Sequence, residues 1–184
     1  MSTSENAHIN KVFGVTGWKN SGKTTLMVKL VNHFVSKGLK VGTIKRAHCG
    51  FDIDQPGTDS YRHREAGAQE VMIASEKRWA KMHELQDEGE QPLSELLKEF
   101  GELDLVLVEG YKGDTHPKIQ AVRPTVNVET MNHDKANNIV ALAVEDAAAA
   151  GIKAADLKVE GPVLDLNNVE SIAAFVSDYV GMEN

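Results

Sequence analysis

The chain holds one cysteine, five prolines and only 5% aromatic residues among 184 positions. Each scarcity removes a class of explanation. Cys49 alone cannot close an intrachain disulfide, so stability must come from a buried core, as in a reducing compartment. No apolar run approaches the roughly 18 residues that span a bilayer, and Met1 to Asn10 is too polar for a secretion signal. Cations are outnumbered, 20 Lys and Arg against 27 Asp and Glu, for a net charge of −7. A general nucleic-acid binder draws its affinity from the opposite balance. These shortages predict a cytoplasmic protein that engages neither membrane nor nucleic acid. Its length suits a loose polar arm over residues 1–10 and a single domain over 11–184, with enough apolar content for one full core.

What the chain does have is Gly17-Trp18-Lys19-Asn20-Ser21-Gly22-Lys23-Thr24-Thr25, an ungapped match to G-x-x-x-x-G-K-[ST]. Val12 to Thr16 precedes it as a short buried strand. Leu26, Leu30 and Phe34 follow at helical spacing, and that helix closes near Lys37-Gly38. Strand, glycine loop and helix together make a phosphate site. The helix N-terminus offers unpaired N–H groups and the positive end of a dipole, and Gly17 and Gly22 let successive amides turn inward. The pattern assigns Asn20 and Ser21 to the cradle, Lys23 to the β- and γ-phosphates, Thr24 to Mg²⁺ and Thr25 to the α-phosphate side.

Alternating strand and helix patterns continue along the chain. Lys40–Lys45, Glu70–Ala74, Lys77–Leu85, Leu103–Val108, Lys118–Val122, Ile139–Val144 and Val163–Leu166 read as strands. Thr58–Ala68, a segment from Pro92 to about Phe100, and a closing helix with Val169, Ile172, Phe175, Val176 and Tyr179 on one side read as helices. The expected fold is α/β, of P-loop NTPase type: a doubly wound, mostly parallel sheet with helices on both faces and the ligand beyond its first strand.

A nucleotide site needs a second Mg²⁺ contact, and Leu105-Val106-Leu107-Val108-Glu109-Gly110 supplies an acid for it at the carboxyl end of an apolar strand. Glu109 is the candidate for a Mg²⁺ contact or for polarising the attacking water, which makes it catalytic with Lys23. Gly110 permits close approach to the γ-phosphate. Asp104, at the far end of that strand, reads as structural. The segment from Arg46 to Arg64 gathers further reactive types. Asp52 and Asp54 are two apart and point one way on an extended backbone, as for a cation. Arg62 and Arg64 suit phosphate or sulfate by forked hydrogen bonds. A solvated loop with local Asx turns is the alternative there. Lys112 and Lys118 read as solvated lysines, with phosphate contact as the alternative, and Trp18 either covers the site or packs. No Asn/Thr-Lys-x-Asp tetrad reads a guanine base: Asn132-His133-Asp134-Lys135 has the types in the wrong order. Asp146 is either a base contact or an N-cap for Ala147 to Ala150.

Three stretches together resemble the molybdopterin-guanine dinucleotide biosynthesis protein B (MobB) family. They are the phosphate loop from Gly17 to Leu26, the run Phe51 to Arg62 with Glu65-Ala66-Gly67-Ala68 after it, and Leu107 to Lys112. The Asp52-Ile53-Asp54-Gln55-Pro56-Gly57-Thr58-Asp59-Ser60-Tyr61 run is more specific than the phosphate loop, and the likeness covers nearly the whole chain. It implies a GTP-binding protein with weak Mg²⁺-dependent GTPase activity, acting late in molybdenum cofactor synthesis. It implies a homodimer that works with the molybdopterin guanylyltransferase and molybdoenzyme maturation factors, with a molybdopterin-type ligand. Carried over by position, Lys23 and Thr24 hold phosphate and Mg²⁺, Glu109 serves the γ-phosphate side, and Asp52 and Asp54 lie nearby. The chain carries Arg46 and Cys49 where the family often has histidine. Two other readings stay open: a small-molecule kinase whose acceptor is held by Arg62 and Arg64, and a GTP-binding adaptor that does not hydrolyse.

Overall fold

The computed structural model describes residues 11–47, 50–125, 137–146 and 161–182. The polar arm, His48 and Cys49, the Asn132 to Lys135 stretch and the Ala147 to Ala150 turn lie outside them. The chain divides into two compact units: Met1–Arg46 with Leu97–Asn184, and Ala47–Leu96.

The larger unit is built on a six-stranded sheet. Its strands are β1 (Val12–Gly17), β2 (Val41–Lys45), β5 (Leu105–Glu109), β6 (Lys118–Val122), β7 (Ile139–Val144) and β8 (Val163–Asp165), in spatial order β2-β5-β1-β6-β7-β8. Every pairing among them is parallel. Parallel strands buried on both faces need continuous apolar runs, and β5 is buried along its whole length. The winding reverses at β1, with β5 and β2 on one side and β6 to β8 on the other. The carboxyl end of β1 is therefore the switch point where open α/β sheets collect ligands.

Two helices cover one face. Helix α1 (Lys23–Ser36) buries Leu26, Met27, Leu30 and Phe34, and α4 (Val169–Tyr179) buries Ile172, Ala173 and Val176. They share a core with Phe13, Val15, Leu105, Leu107, Ile119, Ala121, Ala141 and Ala143, which project from alternate positions of the strands. Fully burying a Leu or Phe contributes roughly 1.5–3 kcal/mol, so this seam dominates the stability of the unit. Phe13 also makes edge contacts with Phe175 at 6.3 Å and Tyr179 at 5.9 Å. Asn168 caps α4 by accepting from the Ser171 N–H at 3.0 Å. At the end of α1, Gly38 and Leu39 donate to Val35 and Phe34 and close the last carbonyls. Asp104 is structural as expected: its carboxylate accepts from the Lys40 N–H at 2.7 Å.

In the smaller unit, β3 (Glu70–Ala74) and β4 (Trp79–His83) form an antiparallel hairpin, with the cross-strand pair Val71 and Met82 buried. Helix α2 spans Asp59–Glu65, shorter than the sequence pattern suggests. Its carbonyls are closed early, by Ala66 on Arg62, Gly67 on Arg64 and Ala68 on His63. The segment after Pro92 is likewise short: α3 (Leu93–Leu96) continues as a 3₁₀ turn over Leu97–Glu99 instead of a helix to Phe100.

Candidate functional site

β1 delivers the chain to Gly17, and α1 starts at Lys23; the residues between fold back over the strand end. Positive φ at Gly17 (149°), Asn20 (64°) and Gly22 (91°) makes the turn so tight. A Cβ on Gly17 would run into Ser21 Oγ and lie 2.6 Å from the Ala121 carbonyl oxygen. Ser21 is only 3% exposed, and its Oγ has no hydrogen-bond partner. A buried hydroxyl left this way costs about 1–3 kcal/mol until something supplies the missing bond. Turned this tightly, the loop forms a concavity of the kind in which successive backbone amides can receive an anion.

Lys23 curls over that concavity and donates to the Trp18 carbonyl at 2.6 Å. Burial holds its ammonium below the usual lysine range; the Glu109 carboxylate opposes the shift, and Lys112 and Lys45 add to it. Glu109 ends β5, beside β1 and in register with Lys45 of β2. It is 8% exposed. Its Oε1 accepts from Thr24 Oγ1 at 3.0 Å and lies 3.1 Å from Lys45 Nζ. Two motifs 85 residues apart in the chain therefore meet at one oxygen. A hydroxyl and a carboxylate are the hard oxygen donors that Mg²⁺ takes, so these residues fit that ion. Beside them, Thr24, Met27, Val28 and Val31 of α1 and Thr43, Ile44 and Lys45 of β2 line a cleft of about 320 Å³.

The chain leaving Glu109 stays close. Gly110 donates to the Val15 carbonyl at 3.2 Å and Arg46 to the Glu109 carbonyl at 3.0 Å. Lys112 then reaches back, its Nζ 4.6 Å from the centre of the Trp18 ring. Trp18 thus takes a cation on its face at the loop. Lys118 corrects the solvated reading. It is fully buried, and its ammonium donates to the carbonyls of Asp114 (2.5 Å), His116 (2.9 Å) and Asn137 (2.7 Å). Burial lowers it to about 8. Next to it, burial and the Lys118 charge push His116 down to about 4, with Asp114 opposing. These groups tie down the loop between β5 and β6, and the His116 ring lies against Gly14 of β1.

The other expected residues lie in the smaller unit. Arg64 gathers three carboxylates: Asp54 at 2.6 Å, Glu84 at 2.7 Å and Asp52 at 2.9 Å. A second bond runs from its Nε to Asp54 at 3.2 Å. These hydrogen bonds raise the guanidinium further above its ordinary value. Asp52 and Asp54 do point one way, but toward Arg64. Among the described residues no group of three or more His, Cys, Asp and Glu is placed to hold a metal ion. Arg62 is exposed on α2. Lys45 and the Glu84 arm of the Arg64 cluster were missed by motif reading. Lys45 had a signal, a cation closing an apolar strand just as Glu109 does; Glu84 had none. No helix among the described residues is long and apolar enough to cross a membrane.

Comparisons with known proteins agree with this geometry. Residues 12–145 match the family model described as MobB, molybdopterin guanine dinucleotide synthesis protein B. The chain is 35% identical over 169 residues to the molybdopterin-guanine dinucleotide biosynthesis adapter protein of Escherichia coli K12, covering 91% of each. It is 32% identical over 173 residues to the protein of that name from Haemophilus influenzae, covering 92% of this chain and 89% of that one. The crystal structure of a MobB homologue from Bacillus stearothermophilus superposes with a TM-score of 0.68 at 27% identity, over 94% of this chain and 99% of that one.

Proposed function

This chain belongs to the molybdopterin guanine dinucleotide synthesis protein B family, and from that premise we propose that it is a GTP-binding adapter in the synthesis of that dinucleotide, with slow Mg²⁺-dependent GTPase activity. The observation that carries the nucleotide reading is the 3.0 Å bond between Thr24 and Glu109. It unites the phosphate loop with an acid at the switch point of a parallel sheet, as triphosphate chemistry requires. Gly17, Asn20, Ser21, Gly22 and Thr25 cradle the phosphates with backbone amides and hydroxyls. Lys23 exchanges its own-loop carbonyl for β- and γ-oxygens, and Gly110 brings backbone close to the γ end.

Thr24 and Glu109 would hold Mg²⁺, whose charge would offset that of the phosphate oxygens. Glu109 also orients a water toward the γ-phosphorus. Among the described residues no second acid joins Glu109 in a group placed to hold a metal ion, which supports slow turnover. The names of the relatives support an adapter role in synthesis of the dinucleotide; a place in the cytoplasm beside the molybdopterin guanylyltransferase and molybdoenzyme maturation factors is the finer part of the proposal. A homodimer and a molybdopterin-type ligand belong to the same reading.

Calorimetry with GTP and with ATP, each with Mg²⁺, tests it, together with phosphate release. GTP should bind at least about tenfold more tightly, a difference of roughly 1.4 kcal/mol, and release phosphate slowly. Binding of neither nucleotide would end the proposal. Tight GTP binding with no release would leave a non-hydrolysing adaptor.

A further inference from the structure

Helix α1 presents two flanks to the strand ends. Thr24, Met27, Val28 and Val31 face Glu109 and β2. Gly22, Thr25 and Lys29 lie on the other flank, where with Arg123, Leu166 and Asn167 they line a small cavity of about 40 Å³. Arg123 arrives there because β6 lies beside β1: Gly17 pairs with Ala121, so the chain leaves the sheet next to the phosphate loop. Its guanidinium packs on Gly22, where a Cβ would come within 3.3 Å of Nε and 3.4 Å of Cζ. Nε stands 3.3 Å from Oε1 of Glu145, just beyond β7. The ion pair lacks hydrogen-bond geometry, and this buried Nε has no hydrogen-bond partner. Buried donors are nearly always bonded. Here two orphans, Arg123 Nε and Ser21 Oγ of a residue 3% exposed, border the same phosphate loop.

We propose that Arg123 is a further nucleotide-binding residue, taking the phosphate nearest the nucleoside, and that Glu145 holds it ready until the nucleotide arrives. The inference rests on the triphosphate reading of the loop. Thr24, Glu109 and Lys23 fix the γ end on one flank of α1. A polyphosphate crossing the helix N-terminus from there passes Gly22 and Thr25, which brings the α-phosphate to the Arg123 flank. A guanidinium offers a planar fork matched to phosphate oxygens, and such charge-assisted bonds are among the strongest available. On binding, Arg123 exchanges the loosely held Glu145 carboxylate for phosphate, and Glu145 is left facing the sugar side.

Calorimetry with GTP and GDP, each with Mg²⁺, on the full chain tests this. Arg123→Gln should weaken both nucleotides equally, by about ten- to a hundredfold, because both carry the α-phosphate. Arg123→Lys, which keeps charge and loses the fork, should show a smaller loss, again equal for the two. It carries the test should the glutamine variant fail to fold. Glu145→Gln frees the guanidinium and should bind at least as tightly as the parent, which a purely structural ion pair would not allow. Unchanged affinity in Arg123→Gln, a loss confined to GTP, or weakened binding in Glu145→Gln would each overturn the proposal while the parent still binds. A parent that binds neither nucleotide overturns the nucleotide reading itself, and this inference with it.

Discussion

At the phosphate loop one carboxylate, Glu109, stands among the lysines Lys23 and Lys45, with Lys112 close by. In the hairpin unit one guanidinium, Arg64, stands among the carboxylates Asp52, Asp54 and Glu84. Both clusters mix cations with carboxylates, and the difference lies in what each leaves unbonded. Arg64 is 13% exposed and Asp54 3%, and forked bonds satisfy the guanidinium from several sides. That arrangement ties Asp52 and Asp54 to α2 and to Glu84 just beyond β4 through one cation. At the phosphate loop positive charge exceeds negative, Lys23 is bonded to its own loop, and Ser21 is orphaned. Surplus cations beside an unbonded hydroxyl carry a cost that an anion would relieve, which is the property the proposed nucleotide site needs.

The strongest blow to this contrast would be Lys23→Ala. It should weaken GTP on the order of a hundredfold, because charge-assisted bonds to phosphate contribute roughly 1.5–3 kcal/mol. Parent-like affinity by calorimetry would remove the surplus charge from the site. Next comes pH. His116 sits at about 4 when folded, held there by burial, against about 6.5 for a free histidine. The unfolded chain therefore takes up the proton first, and stability falls as pH drops through 6.5 toward 4. After allowing for partial solvent screening the loss is about 2 kcal/mol. His116→Gln should flatten that slope in denaturant titrations, and an unchanged slope would show that His116 takes up its proton alike in the folded and unfolded chain. In the hairpin unit His83 moves the other way, raised by Glu70 and then Glu88. Its contribution is complete below its unfolded value and disappears as pH rises through the folded one.

Glu109→Gln should slow phosphate release by about tenfold or more, since a positioned acid or base contributes at least that much. Nucleotide affinity should change far less. Equal rates in mutant and parent would confine Glu109 to binding. Smallest for function is Arg64→Met. It should lower the melting temperature by a few degrees, because three carboxylates lose their shared cation, and leave GTP affinity within about twofold. A large loss of affinity would show that the two clusters work as one site.

Much of the fold was legible because apolar runs and their punctuation are local signals. The strand before Gly17, the helix with Leu26, Leu30 and Phe34, and the strand ending at Glu109 lie where the pattern places them. Lengths were less legible. α2 stops at Glu65 because Gly67 and Ala68 close its carbonyls, and the segment after Pro92 tightens into a 3₁₀ turn. Lys118 misled for a plainer reason. Lysines are rarely buried unless their charge is met, and the carbonyls that meet this one come from Asp114, His116 and Asn137, which no spacing rule connects. Asp52 and Asp54 share a direction, as alternation predicts, but the pattern could not say that Arg64 fills the space between them.

By itself the sequence determined that a glycine loop would join a strand to a helix, and that an apolar strand would end in an acid. Those properties depend on neighbours along the chain. Only the tertiary structure decided that β5 lies beside β1, so that Glu109 meets Thr24, and that β6 lies on the other side, so that Arg123 meets Gly22. Strand order is set by burial summed over the whole sheet, and no local run of residues encodes it.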